Sequence, residues 1–560
     1  MKPPTMKGNH EFITVHLTPP VCGGRRKRGE HPRQNHSEPK PARHRAGLRN
    51  GHSARVTGAG QAFTHTGSAA LAKFRRRTRP DVGGRMEPRP LNFIAAACGG
   101  NLVSGDERLL VRRICTDSRQ VQAGDLFIAL PGDRFDGHDF LGEVLRKGAA
   151  ALMVRHGRAP ASPNSASIIT VADTRKALGR LAASYRVDFR LPVVAVAGSN
   201  GKTTTKDLIA SVLKQRFPTL FSEASFNNDI GVPMTLLRLE QTHQAAVLEA
   251  GTNHPGELAQ LLEMIRPRFG VLTSIGREHL EFFGDLAGVA EEEGWIAESL
   301  PPDGKLFING DNPWSERVAH RARTPVVRAG FGAGNDYRAS GARLDHQGST
   351  FAVQAPEAEF SGEYRINLLG RHQIQNALYA IALGAELGLR PAEIRRGLAE
   401  CRPAKMRMQL WELNGVQILD DAYNANADSM AAALETFRDL PCKGRRIAVL
   451  GDMAELGAHC EAAHEEVGRR AAELGVVQLF AVGKMAPALA RGARGAGLNR
   501  LFEFADVEAA AAALKSFVKA GDALLLKASR SSRFERITEL LRKGETAPAR
   551  INGAGGRQES

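Results

Sequence analysis

One segment limits what this chain can fold into more than any other. Val193-Val194-Ala195-Val196-Ala197 is a continuous apolar run, as expected for a strand buried on both faces of a parallel sheet. Gly198-Ser199-Asn200-Gly201-Lys202-Thr203-Thr204-Thr205 follows at once, and Leu208, Ile209, Val212 and Leu213 then mark one face of a helix. Strand, glycine loop and helix N-terminus together make an anion site: backbone N–H groups point outward, the helix dipole favours negative charge, and glycines permit close approach. Lys202 adds a mobile positive charge for β- and γ-phosphates, and the Thr203 hydroxyl can ligate Mg²⁺. The spacing is not the usual GxxxxGK[ST], because Val196 stands where the first glycine belongs. A Gly-Lys-Thr triplet alone also fits a tight turn; the flanking strand and helix make it a nucleotide-site candidate.

A length of 560 residues suits about three to four domains, and 42% hydrophobic residues can fill several cores. The formal charge of +16 is unevenly spread. Before Met86 there are 18 Lys/Arg against four acids, whereas the remainder is nearly balanced at 58 against 56. The high isoelectric point therefore belongs to a Pro-, Gly-, Arg- and His-rich tail without apolar periodicity, expected to be disordered. Its runs at 25–28 and 75–77 could bind nucleic acid; an extension with no folded role accounts for the same composition. Met86 precedes the first orderly pattern and is a candidate start codon. No stretch approaches the roughly 18 apolar residues of a membrane span, and residues 12–17 are too few for a secretory signal. Six scattered cysteines without a CxxC argue against a disulfide scaffold or a structural zinc site and favour a reducing cytoplasm.

From Leu91 onward strands and helices alternate, and composition shifts divide the chain into a basic tail (1–88), bodies at 89–187, 188–402 and 403–545, and a loose end (546–560). In the middle body, residues 245–249 read as a strand ending in Glu249, and 269–275 as another, followed by Glu278, His279 and Glu281. Ligands of open α/β sheets sit at the carboxyl ends of strands, so these groups could converge on bound phosphates; singly, each also fits a solvated loop residue. In the third body, short apolar runs at 416–419, 447–450, 479–482 and 524–526, with helical patterns at 430–437 and 464–474, imply a doubly wound parallel sheet. Tyr423-Asn424-Ala425-Asn426 within it also fits an Asn-rich turn.

Longer motifs bring in a resemblance. Gly198–Thr204 resembles the Gly-[ST]-Asn-Gly-Lys-Thr-Thr loop of the Mur ligases, ATP-dependent amide-forming enzymes of peptidoglycan synthesis. Phe226-Asn227-Asn228-Asp229-Ile230-Gly231-Val232-Pro233, His279-Leu280-Glu281, Asn309-Gly310-Asp311-Asn312, and Gly370-Arg371-His372 through Asn376-Ala377 (with Gln373 for the family's Asn) resemble further family motifs. In the first body, Thr116-Asp117-Ser118-Arg119, Gly124-Asp125-Leu126-Phe127 and Asp136-Gly137-His138 resemble the UDP-substrate domain. In the third, 420–430 and Gly451-Asp452-Met453-Ala454-Glu455-Leu456-Gly457, with His464, resemble the dipeptide-adding branch, with Ala427 replacing a usual Pro. The Asp-Asn-Pro-Arg element expected of the diaminopimelate-adding branch is missing from this body; Asp311-Asn312-Pro313-Trp314 is similar in letters but lies in the middle one.

The resemblance implies an α/β fold of three domains: a small UDP-substrate domain, a central P-loop ATPase domain with a parallel sheet, and a C-terminal Rossmann-like domain. It implies that a UDP-MurNAc-tripeptide carboxylate takes the γ-phosphoryl group of ATP and that the amine of D-Ala-D-Ala attacks the acyl phosphate, with Mg²⁺ neutralising the crowded oxygens. The expected nucleotide residues are Gly198, Ser199, Asn200, Gly201, Lys202, Thr203 and Thr204, with Asn309 and Asn312 at adenine, and Arg407 and Asp421 reaching in from the third domain. Metal would fall to Thr203, Glu249, His279 and Glu293, and substrate to Ser118, Arg119, Asn227, Asn228, Tyr423, Asn424 and Asn426. Glu293 stands where these ligases usually carry a carbamylated Lys; it supplies the same negative charge without CO₂, although Glu291-Glu292-Glu293 also fits an acidic helix face. A cytoplasmic monomer without membrane insertion is expected. The competing readings are another amide ligase of the superfamily, such as a diaminopimelate-adding ligase or a folylpolyglutamate synthase, the latter lacking the UDP domain, and a nucleic-acid-binding protein using the tail.

Overall fold

The computed structural model describes residues 85–132, 134–161 and 166–542. Residues 1–84 of the basic tail, Cys22 among them, and the C-terminal loose end lie outside them. Among the described residues the chain builds three sheets, each the centre of one domain.

The first sheet orders its strands Arg85–Pro90, Leu110–Cys115, Leu126–Ile128, Ala151–Arg155, Ser167–Val171 and Asn101–Ser104. Its edge strand opens at Arg85, ahead of the expected boundary at 89, and buries Met86 in the first core. The helix Thr174–Arg186 closes this domain, and its Tyr185, fully buried, donates to the Leu239 carbonyl of the middle domain at 2.6 Å.

The middle sheet places the opening motif at its heart. Val193–Ala197 is flanked in parallel by Phe269–Leu272 and Ala245–Glu249, with all five of its residues buried. Each such valine stabilises the fold by about 1.5–3 kcal/mol. The helix Lys202–Leu213 follows the loop and packs against Arg371–Glu386 and Pro391–Glu400. Lys305–Asn309 and Val326–Gly330 extend the sheet in parallel, and Tyr337–Asp345, Gly348–Gln354 and Gly362–Ile366 add an antiparallel meander that the sequence reading did not resolve.

The third sheet runs Gln409–Leu413, Val416–Asp420, Ala523–Lys527, Arg446–Gly451, Gln478–Val482, Leu501–Phe504, parallel except at its first edge. The four expected apolar runs are its interior strands; the half-exposed edges Gln409–Leu413 and Leu501–Phe504 were missed. The carboxyl ends of Val416–Asp420 and Ala523–Lys527 face the middle domain's glycine loop, so both sheets present their strand ends to one cleft.

Candidate active site

The loop after Val193–Ala197 takes a conformation that demands its glycines. Gly198 has φ +113° and a Cβ there would lie 2.5 Å from Thr273 Oγ1; Gly201 has φ +90° and its Cβ would lie 2.6 Å from Asn376 Oδ1. The loop is tied to the neighbouring strand by Ser199 N–H donating to Ser274 O at 2.8 Å and Asn200 N–H to Ser274 Oγ at 3.2 Å. Lys202 begins the helix and turns its ammonium back to the Gly198 and Ser199 carbonyls, 3.4 Å from Glu278 Oε2. Burial alone would depress its pKa, but the carboxylates of Glu278, Glu293 and Glu249 outweigh that and hold it above the usual lysine value.

Glu249 ends its strand almost completely buried. Its Oε1 accepts from Thr203 Oγ1 at 3.1 Å and Asn227 Nδ2 at 2.8 Å, while its Oε2 has no partner. The three successive glutamates separate by environment. Glu291 reaches solvent beside Arg321; Glu292 is buried and accepts from the Gly256 and Leu258 amides at 2.7 and 2.8 Å; Glu293 is buried behind the glycine loop. Glu293 Oε2 accepts from Gly198 N–H at 2.7 Å and its Oε1 is unpartnered. Burial pushes its carboxyl up to about 8, against the pull of Lys202. An acidic solvated face therefore describes Glu291 but not Glu293.

The unpartnered Glu249 oxygen beside the Thr203 hydroxyl is a hard donor set that faces the cavity, and Mg²⁺ fits it; the unpartnered Glu293 oxygen lies behind the loop. Among the described residues no three His, Cys, Asp or Glu are grouped as a metal cage. Mg²⁺ ordinarily needs only one or two carboxylates together with substrate phosphates and water. His279 fits less well: at φ +49° its Nδ1 is engaged by Glu455 Oε2 of the third domain.

Most of the expected site residues line one cavity of about 1040 Å³, shared by all three domains. Ser199, Asn200, Gly201, Lys202, Thr203, Thr204, Asn227, Asn228, Glu249, His279, Asn312, Arg407, Asp421, Tyr423, Asn424 and Asn426 all reach it. Five expectations do not, and Glu293 is the first of them: it lies buried at the Gly198 amide, outside the cavity lining. Ser118 and Arg119 lie outside the cavity; Arg119 is committed to Asp117 at 2.7–2.8 Å, and the guanidinium holds that carboxyl down near 2. Asn309 also lies outside it and accepts from the Asp311 amide at 3.0 Å. Gly198 is covered by Thr273 and Ser274. Asn312 lines the wall but caps the helix Pro313–Ala319, and its Nδ2 donates to Ile275 O at 2.9 Å.

Besides Glu455 at His279, the third domain reaches across in three further places. Asn426 Nδ2 donates to Asn200 Oδ1 at 3.0 Å, joining the two loops directly. Tyr423 OH lies 3.1 Å from Ser225 Oγ, and Arg407 stacks on the Tyr423 ring while donating to the same hydroxyl at 3.4 Å. Arg277 binds Asp428 at 2.6–2.9 Å and Glu466 at 2.7 Å. Sequence reasoning missed Arg277, Ser225 and Lys527. The Lys527 ammonium, almost fully buried, bonds Asp421 Oδ2 at 2.5 Å and Asn424 O at 3.1 Å and so fixes the Asp421–Asn424 turn. A lysine closing an apolar strand run was the one available signal for it.

Three family models match the chain: Mur ligase family, catalytic domain, over residues 110–186; Mur ligase middle domain, over 196–384; and Mur ligase, glutamate ligase domain, over 406–530. The UDP-N-acetylmuramoyl-tripeptide–D-alanyl-D-alanine ligase of Escherichia coli (strain K12) is 39% identical over 464 residues, covering 81% of this chain and 99% of that protein. The crystal structure of MurF from Acinetobacter baumannii superposes with a TM-score of 0.75 at 31% identity, covering 82% of this chain and 99% of that one. MurF ligase from Thermotoga maritima in complex with ADP gives 0.69 at 28% identity, covering 77% and 97%.

Proposed function

The chain belongs to the Mur ligase family, and from that membership we propose that it joins D-Ala-D-Ala to a UDP-N-acetylmuramoyl-tripeptide, converting ATP to ADP and phosphate, in cytoplasmic peptidoglycan precursor synthesis. The observation that carries this reading is the single cavity in which Lys202, Thr203 and Glu249 face Arg407, Tyr423, Asn424 and Asn426. A nucleotide on the glycine loop and an incoming amine held by the third domain would meet there.

A carboxylate is a poor electrophile because amine attack on it would have to expel oxide. In the proposed reaction the tripeptide's terminal carboxylate oxygen takes the γ-phosphoryl group and ADP leaves. The D-Ala-D-Ala nitrogen then bonds to the acyl carbon, the carbon–oxygen bond to phosphate breaks, and the nitrogen loses a proton. Such transfers need positioning and charge stabilisation more than covalent help. Lys202 is poised to move from its own loop carbonyls to the β- and γ-phosphates. Thr203 and Glu249 would offer oxygens for Mg²⁺, which when bound would neutralise phosphate charge, and Glu293 would add a carboxylate from behind the loop. The third domain's contacts through Asn426 and Tyr423 close the site against water, protecting the acyl phosphate. The domains are proposed as 89–187, 188–402 and 403–545, with the first opened a few residues earlier by its edge strand at Arg85.

Phosphate release from ATP tests the reading. Release is expected only with UDP-MurNAc-tripeptide and D-Ala-D-Ala both present and with magnesium. Release with a folate and glutamate, or none with the proposed pair, would overturn it.

A further inference from the structure

Beside the glycine loop, the cavity continues between the first and middle domains. Its wall there is formed by Arg175, on the helix Thr174–Arg186, by Asp229, and by Leu261 and Met264 on the helix Glu257–Ile265. Arg175 Nε and Nη2 donate to Asp229 Oδ2 and Oδ1 at 2.9 and 2.7 Å, a two-point pair that bridges the domains. Both side chains remain about half accessible, 41% and 50%, so the pair stands at the cavity wall instead of being sealed in the interface.

Asp229 is two residues from Asn227, whose amide bonds Glu249, the carboxylate beside Thr203. Two residues of chain span at most about 7 Å. A substrate carboxylate reacting beside Glu249 therefore has its own side chain emerging within reach of Asp229 and Arg175. The wall between offers apolar Leu261 and Met264 for a methylene chain, and the far end offers one anion and one cation locked in a fork geometry.

We infer that the Arg175–Asp229 pair selects the side chain of the tripeptide's terminal residue, favouring an aliphatic chain that ends in both an ammonium and a carboxylate. This rests on the ligase function proposed above. Such a terminus inserts into the pair head to tail, its carboxylate on the Arg175 fork and its ammonium on Asp229, so neither protein charge loses its partner. A lysine-type terminus supplies only the ammonium, competes with Arg175 for Asp229 and gains no contact with the guanidinium. Recognition of a charged group by a committed partner discriminates far more strongly than a methylene contact does.

The test compares kcat/KM for UDP-MurNAc-tripeptides ending in diaminopimelate, in diaminopimelate amidated at its side-chain carboxyl, and in lysine. The wild-type protein is expected to prefer the first by at least about tenfold over the other two. Arg175→Leu is expected to erase that preference by lowering the diaminopimelate value alone, and Arg175→Lys to restore part of it. Equal use of the three substrates by the wild-type protein would overturn the inference without needing a variant. So would a uniform fall for all three in Arg175→Leu, which is the signature of a purely structural bridge. Ligation of none of them would remove the proposed function, and this inference with it.

Discussion

At the scale of single residues, Glu293 is the expected stand-in for a carbamylated lysine, and that expectation can be tested. Its carboxylate is buried behind the glycine loop, bonded to Gly198 N–H through one oxygen and unpartnered through the other. A glutamate carries its carboxyl group without CO₂, so activity is expected to be independent of added bicarbonate. With its carboxyl held up to about 8, Glu293 would become an anion at neutral pH only as a cation binds; Glu293→Gln keeps the shape and the Gly198 bond but removes that ionisable group, and kcat is expected to fall by about 10–100-fold and the magnesium requirement to rise. An unchanged rate in Glu293→Gln, or a dependence on bicarbonate, would exclude the role. His372 makes a second prediction at this scale. Burial pushes its imidazole down to about 4, so the folded protein binds fewer protons than the unfolded chain between that value and the ordinary 6.5. Its contribution to stability is therefore complete above pH 6.5 and is lost as pH falls towards 4. Asp420, held up to about 6 by burial, works in the opposite sense over much of that window. Comparison with His372→Gln isolates the histidine: denaturant unfolding should show the wild type losing about 1–2 kcal/mol more than the variant between pH 7 and pH 5.

At the scale of elements, the glycine loop shows why some of this site could be read from sequence. Five apolar residues, two glycines and a helical face are local signals, and they specify strand, loop and helix with no help from distant residues. A methyl group at Gly201 would meet Asn376 at 2.6 Å in a backbone conformation already foreign to alanine. Gly201→Ala is expected to destabilise the protein by about 1–3 kcal/mol and to weaken ADP binding at least tenfold, measured by calorimetry. Retained affinity would mean that the loop does not hold the nucleotide. What escaped the sequence reading has the opposite character. Lys527 and Asp421 are 106 positions apart and meet because neighbouring strands of the third sheet end side by side; Arg277 and Asp428 are 151 apart and meet only because the third domain packs on the middle one. Asn309 shows the converse error: the motif was legible, but its side chain turns to the Asp311 amide outside the cavity. The meander at 337–366 was missed because its strands alternate exposed and buried positions and so lack the continuous apolar run that marked the interior strands.

For the whole molecule, the question is what holds the third domain over the middle one. Beyond the loop-to-loop bond of Asn426 and Asn200, the charged contacts converge on one short segment, in which Arg277 binds Asp428 and Glu466, and His279 meets Glu455. The two acids hold the Arg277 guanidinium more firmly protonated than usual, and its bond to Asp428 is reinforced by the Arg277 backbone N–H at 2.6 Å. The network is partly exposed, so solvent screens it, and its loss is expected to cost about 1–2 kcal/mol of domain closure. That is enough to shift a two-state opening by roughly five- to thirtyfold without unfolding either domain. Arg277→Ala should therefore leave ADP affinity within about threefold, because the glycine loop stays intact. It should raise KM for D-Ala-D-Ala several-fold and enlarge the radius of gyration measured by small-angle scattering. Raising salt should move the wild type in the same direction, since partly exposed pairs weaken as ionic strength grows. If ADP affinity and dipeptide KM rose together, Arg277 would be supporting the nucleotide loop instead of the closure, and the latch would have to be sought in the uncharged contacts of Tyr423 and Asn426.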